Sequence, residues 1–445
     1  MPDTSLTKRI LALAIPSLGA LIAEPLFLLT DTAMVGHLGA GALASLGLAS
    51  TILTTVIGLL IFLAYATTPI VARRLGSGNR PGAISAGIDG LWLALGLGVV
   101  LGILGYAITP LVVSWFGAVS DVSAGAVSYL TISWWGLPGM LLVIAATGLM
   151  RGLQDARTPL WIALAGFASR AVLGAVRLCG LCGGLVGSAV GTVIAQWGMA
   201  AVFVALLTRE ARTHEVSLAP GVLGIQAAAR SGSWLLLRTL SLRLVLIATV
   251  VVATGLGTRE LAAWHIVFTI FGLLALALDA LAIAAQALVG HDLGSGDLST
   301  VRHTTSTLIA WGFFAGGMLA ILMGLLSPLL PFVMTSDQPL REVLVLVLVL
   351  LALTLPLSGF VFVLDGVLIG AGDGKYLALT GILNVAMFAP FLWLASVTYW
   401  EVSGVNLGGL LMLEAAFGVS YIGSRALTLG LRARGERWMV TGESR

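Results

Sequence analysis

From Gly39 to Asp155 this chain repeats itself, without a gap, at a displacement of 218 residues. Leu75-Gly76-Ser77-Gly78-Asn79 returns as Leu293-Gly294-Ser295-Gly296-Asp297, Pro110-Leu111 as Pro328-Leu329, and Leu137-Pro138 as Leu355-Pro356. Gly152 and Asp155 return as Gly370 and Asp373. Proline is 14 of 445 residues, so two proline coincidences at the offset that also aligns two glycine-rich turns are hard to obtain by chance. The chain is therefore two copies of one unit. Repeated halves that expose one site alternately to two sides are a common plan of carriers.

Composition fixes the solvent. Charged residues are 10% of the chain, against about 25% in soluble domains, and the mean hydropathy is +1.05. A helix needs about 20 apolar residues to cross a hydrocarbon core, and twelve such segments are expected at residues 10–34, 42–72, 84–108, 124–149, 158–180, 184–208, 232–256, 261–290, 304–333, 342–369, 376–399 and 404–430. Their length excludes the short alternating strands of an outer-membrane barrel. The expected fold is an all-α polytopic membrane protein of two six-helix lobes. The first segment contains Pro16, Glu24, Pro25 and Asp31 and lacks a small-residue cleavage site, so it is not expected to be removed as a signal peptide.

Lysine and arginine set the orientation. One set of alternate loops carries Lys8, Arg9, Arg73, Arg74, Arg80, Arg151, Arg157, Arg209, Arg212, Arg230, Arg302, Lys375, Arg425, Arg432, Arg434, Arg437 and Arg445, while the opposite set carries Arg259 and Arg341. Both termini are expected in the cytoplasm, which suits a multi-pass protein of the inner or plasma membrane. An even number of helices per repeat gives both halves one orientation, related by an axis along the membrane normal. The expected boundaries are an N-lobe at 1–208, a polar cytoplasmic linker at 209–227 containing Pro220, and a C-lobe at 228–445.

Several motifs point away from enzymes, metals and nucleic acid. Leu-Gly-Ser-Gly lies between two spans rather than after a strand, and no lysine follows at phosphate-loop spacing, so it reads as a tight turn. Cys179 and Cys182 have C-x-x-C spacing but no second ligand pair, and His37, His265 and His291 stand apart from one another. The basic charge is spread over loops instead of forming a basic domain, which gives no nucleic-acid signal. No metal or cofactor is expected beyond a coupling ion.

The functional argument rests on ionisable groups inside the spans, each costing at least about 2.5 kcal/mol near the bilayer centre. Glu24 and Asp31 are seven apart, which places them on one helix face, with Pro25 releasing a backbone carbonyl between them. That arrangement suits a proton or Na⁺. In the second half Asp279 with Gln286, again seven apart, and Asp365 intrude similarly, while their repeat-mates are Ile61, Thr68 and Thr147. Asp279 and Asp365 are either ion ligands or ion-pair partners of Arg238 and Arg243 on the seventh span. Asp89 and Glu414 carry less weight.

The run Glu24-Pro25-Leu26-Phe27-Leu28-Leu29-Thr30-Asp31-Thr32-Ala33-Met34-Val35-Gly36-His37-Leu38-Gly39 resembles the first-span signature of the multidrug and toxic compound extrusion (MATE) family. Leu278-Asp279 through Gly290 and Leu364-Asp365 through Asp373 resemble its DNA-damage-inducible F branch. The resemblance covers essentially the whole chain. It implies twelve spans in two lobes with a V-shaped cavity between them, and export of amphipathic or cationic organic compounds by exchange for inward H⁺ or Na⁺. It also implies that Asp31 is the protonation site of the N-lobe.

The fifth span departs from the family pattern, with Arg170 and Gly174 where asparagines are expected. Arg170 either holds Asp31 ionised, or is released when Asp31 protonates, or prefers Glu24. The seventh span carries Arg238 and Arg243 in place of the acid of Na⁺-coupled relatives, which favours H⁺. Phe27, Phe62, Trp134 and Trp135 are candidate cavity aromatics, with packing or the interfacial belt as their alternative role. A monomer embedded in lipid and binding small molecules is the expected working unit. A flippase for a lipid-linked or anionic amphipathic substrate is the alternative, for which the four arginines within the spans, Arg170, Arg177, Arg238 and Arg243, speak.

Overall fold

The computed structural model describes residues 4–36, 39–175 and 184–442. Its long helices follow the twelve expected segments. In the first half, α1 (Thr4–Gly36) is followed by α2 (Ala40–Leu60), which continues after a break at Ile61 as α3 (Phe62–Gly76), and by α4 (Arg80–Ser114). Next, α5 (Ser120–Ser133) passes through a 3-10 turn at Trp134–Gly136 into α6 (Leu137–Gly152), followed by α7 (Arg157–Ala175) and α8 (Gly184–Thr213).

The second half begins with α9 (Val222–Leu256), α10 (Thr258–Ser295), α11 (Leu298–Leu326) and the short α12 (Leu330–Met334). It continues with α13 (Gln338–Gly370), α14 (Gly374–Val397) and a hairpin of β1 (Glu401–Val402) and β2 (Val405–Asn406). The last span is α15 (Leu407–Glu414), a π-helix at Ala415–Tyr421 and α16 (Ile422–Arg434). Among the described residues eleven of these spans are long and apolar enough to cross a membrane, and α7, with 19 described residues, is the shorter fifth.

The chain separates into two compact units. One comprises Ile15–Gly232 and the other Ser233–Thr441 with Met1–Ala14, so the division falls inside both α1 and α9.

The repeat is written into the packing. Helices approach closely in lipid where small residues remove side-chain bulk, and the same close approaches recur 218 residues apart. A Cβ on Gly148 would stand 2.7 Å from the Ala64 carbonyl oxygen, and one on Gly366 would stand 2.2 Å from the Ala282 carbonyl oxygen. A Cβ on Gly152 would stand 2.8 Å from the Thr68 carbonyl oxygen and one on Gly370 2.5 Å from that of Gln286, and a Cβ on Gly98 would stand 2.5 Å from Pro138 Cα as one on Gly316 would stand 2.8 Å from Pro356 Cα. Thus α6 on α3 and α4 is rebuilt as α13 on α10 and α11.

The connecting turns repeat too. Gly78 and Gly296 both hold φ of +82°, which only glycine adopts without strain. The residue after each caps the next helix: Asn79 Oδ1 accepts from Gly82 N at 2.8 Å, and Asp297 Oδ1 accepts from Ser299 N at 2.9 Å.

Candidate functional site in the C-terminal half

Three of the residues expected to matter, Phe27, Asp31 and Arg170, have side chains outside the described set, although the backbone places the first two on α1 and the third on α7. Arg177, Cys179 and Cys182 lie wholly outside it, as does His37. Helix α1 runs continuously through Pro16 and Pro25. Glu24 is exposed on α1.

The candidate aromatics divide. Phe62 is buried, its ring filling the space that a side chain on Gly232 would need. Trp134 is buried between α4 and α6, with its Nε1 donating to Thr109 Oγ1 at 2.7 Å and its ring over Gly105, which is a packing role. Trp135, by contrast, is 65% exposed and meets Tyr106 edge to face at 6.3 Å.

In the second half a polar cluster forms around Asp365. This carboxylate, 5% exposed on α13, is ion-paired to Arg238 of α9 and accepts from Arg425 Nη2 of α16 at 2.7 Å. Arg243 does not join it, because five residues along a helix turn a side chain through about 140°. Two guanidinium groups thus share one carboxylate in a buried site. Gly374 and Gly381 of α14 face α9 without side chains, which brings the two helices together around the pair.

Arg425 corrects an expectation. The lysine and arginine tally counted it among loop charges, but it lies inside α16 with its side chain 11% exposed. Its guanidinium carbon also stands 5.9 Å from the centre of the Tyr421 ring. Burial is possible there because Asp365 supplies the counter-charge and Tyr421 the aromatic face.

These groups border a cavity of about 10 Å³, room for about one water molecule. Asn384, Thr380 and Tyr421 complete its polar lining. Asn384 is buried, and its Oδ1 has no hydrogen-bond partner among the described residues, an arrangement that calls for a water or a ligand donor. Towards the charged loops Tyr376 Oη donates to the Thr428 carbonyl at 2.7 Å, and Arg432 Nε bonds Asp373 at 2.7 Å.

Of the other expected residues, Gln286 is buried on α10 where Gly370 crosses it, and Asp279 is half-buried two turns away. Among the described residues no group of histidine, cysteine and carboxylate side chains is placed to hold a metal ion. The sequence missed Asn384, Tyr421 and Arg425. Asn384 was visible as an amide within an apolar run, and Arg425 as an arginine one turn inside a span.

With fold and site in place, comparison with known proteins identifies the class. The chain matches the MatE family over residues 16–176 and 235–394, one match in each repeat. The protein is a member of the multidrug and toxic compound extrusion transporter family. It is 27% identical to the DNA damage-inducible protein F of Escherichia coli, with 92% of each chain covered. It is 26% identical to the chloroplastic DETOXIFICATION 44 protein of Arabidopsis thaliana over 89% of this chain and 79% of that one. The fold matches the Vibrio cholerae MATE transporter VcmN in its bent form with a TM-score of 0.86 at 19% identity, over 98% of this chain and 99% of that one.

Proposed function

We propose that this transporter is a proton-coupled antiporter of the inner or plasma membrane, with both termini in the cytoplasm, exporting amphipathic and cationic organic compounds by alternating access. The observation that carries this reading is an acid, Asp31, seven residues from Glu24 on the apolar first span of a family whose members extrude such compounds. Proton entry from outside neutralises Asp31, releases it from a cationic partner such as Arg170, and removes the cost of holding a charge in the span. Arginines in place of acids on α9 favour H⁺ over Na⁺ as the coupling ion.

The experiment is uptake of a fluorescent lipophilic cation into proteoliposomes under an imposed pH or Na⁺ gradient. The pH gradient is expected to drive uptake in the wild type and to fail in Asp31→Asn. Uptake indifferent to that substitution would refute Asp31 as the carrier.

A second reading is supported by the charge around Asp365, where two guanidinium groups face one carboxylate. Two guanidinium groups gathered at one place suit the carboxylate or phosphate of an anionic amphipath, as in a flippase. Its mark would be no transport of the cation under any gradient, with an anionic lipid analogue moved instead.

A further inference from the structure

Glu414 ends α15 at 1% exposure, and its Oε1 has no hydrogen-bond partner among the described residues. Trp264 of α10 is in a similar state, 1% exposed with an unpartnered indole Nε1. The two belong to one neighbourhood. Glu260 Oε1 accepts from Asn406 N at 2.6 Å where α10 and α15 both begin, so the two spans run side by side in the same direction. Further along, Phe268 and Phe417 meet at 5.2 Å between ring centres, which brings Trp264 and Glu414 to one depth within about a turn. An unpartnered acid and an unpartnered N–H thus share an apolar, ring-lined interior.

The charged and titratable groups on the packed elements are engaged elsewhere. On α10 Arg259 pairs with Asp337, Glu260 bonds Asn406, His265 is exposed, and Asp279, His291 and Asp292 lie at least four turns deeper. On α13 Arg341 and Glu342 sit at the hairpin end, where Glu401 also lies, and Asp365 holds its arginines. Lys375 and Tyr376 occupy the opposite end of α14, and Arg425 is on Asp365. Among the described residues none of these pairs with Glu414, and an ionised carboxylate with no counter-charge is costly in such apolar surroundings, which favours the protonated acid.

The next residue begins the π-helix Ala415–Tyr421, and π segments recur at functional sites. That segment ends at Tyr421, whose ring carries Arg425 and borders the polar cavity at Asp365. We propose that Glu414 is a proton-carrying site of the C-terminal half, loaded in this arrangement and unloaded when the π segment rewinds and turns the acid towards the Arg425–Asp365 cavity. It rests on the proton-antiporter reading and adds a second carrier to Asp31.

Two measurements on the full-length protein in lipid test it. Infrared difference spectra across a pH step are expected to contain the stretch of a protonated carboxyl in apolar surroundings, and Glu414→Gln, which mimics the neutral acid, is expected to lose that band while keeping the wild-type melting temperature. In liposomes enclosing a pH dye, the protons exchanged per ethidium are expected to fall by half in Glu414→Gln. If wild type exchanges protons for ethidium and the variant keeps both the band and the ratio, Glu414 is not a carrier, although the antiporter reading survives. If wild type exchanges none, the antiporter reading falls, and retention of the band in Glu414→Gln overturns the proton site as well.

Discussion

At the scale of single residues, Asp365 is the position on which most charge converges. Removing one partner of a buried pair leaves uncompensated charge and costs about 3–5 kcal/mol. Asp365→Asn removes the shared carboxylate from two arginines at once, whereas Arg425→Met leaves Arg238 on the carboxylate. Thermal unfolding in detergent is therefore expected to show the larger loss in Asp365→Asn, and equal losses would contradict a shared carboxylate. Asp297, in the turn outside the spans, gives a pH-dependent counterpart. Hydrogen bonds from Thr300 and Ser299 hold its carboxyl down to about 2 from the ordinary 3.8. Its capping contribution is present above pH 3.8 and is lost as the pH falls towards 2, so Asp297→Ala is expected to flatten acid unfolding in that window and leave the neutral range lowered uniformly. Asp365 was legible in the sequence because an acid within an apolar run needs a reason. Arg425 was visible inside the last expected segment, but the loop tally counted it as a loop charge, and only the fold reveals which carboxylate meets it. Glu414 was visible but carried little weight, since a missing partner cannot be read from one segment.

The elements were more legible than the sites. Each of the twelve expected segments overlaps a described helix, because a hydrocarbon core sets helix length directly, and the 218-residue offset reappears as the same glycines meeting the same neighbouring backbones. The close approaches give a test. Gly366→Ala would force a methyl group to 2.2 Å from the Ala282 carbonyl oxygen, and Gly148→Ala would force one to 2.7 Å from that of Ala64. Overpacking of this kind costs about 1–3 kcal/mol, so both variants are expected to lower the melting temperature, while Gly317→Ala, with nothing within 4 Å, is expected to leave it unchanged. The π-helix was not legible. No proline or charge marks Ala415–Tyr421, which packs against α13 and α14. Helix α1 stays continuous, since a helix in lipid can lose one hydrogen bond at Pro25 and keep its course.

At the scale of the molecule, a duplicated scaffold carries different chemistry in its two copies. Asp279, Gln286 and Asp365 have Ile61, Thr68 and Thr147 as their repeat-mates, so these two acids have no acidic counterparts in the first half, which holds Glu24 and Asp31 on α1. Energetics then make proton number the quantity to measure. One charge falling through 100 mV yields about 2.3 kcal/mol, but exchange of one proton for one monovalent cation cancels the voltage, leaving only the pH gradient, at about 1.4 kcal/mol per unit. A carrier using both Asp31 and Glu414 would respond to voltage, and one using Asp31 alone would not. The decisive measurement is ethidium transport in proteoliposomes with the membrane potential clamped at zero, under a pH gradient alone and under a Na⁺ gradient alone. The pH gradient should drive transport by itself and the Na⁺ gradient should not. Transport driven by Na⁺ at uniform pH, or by neither gradient, would contradict proton-coupled export.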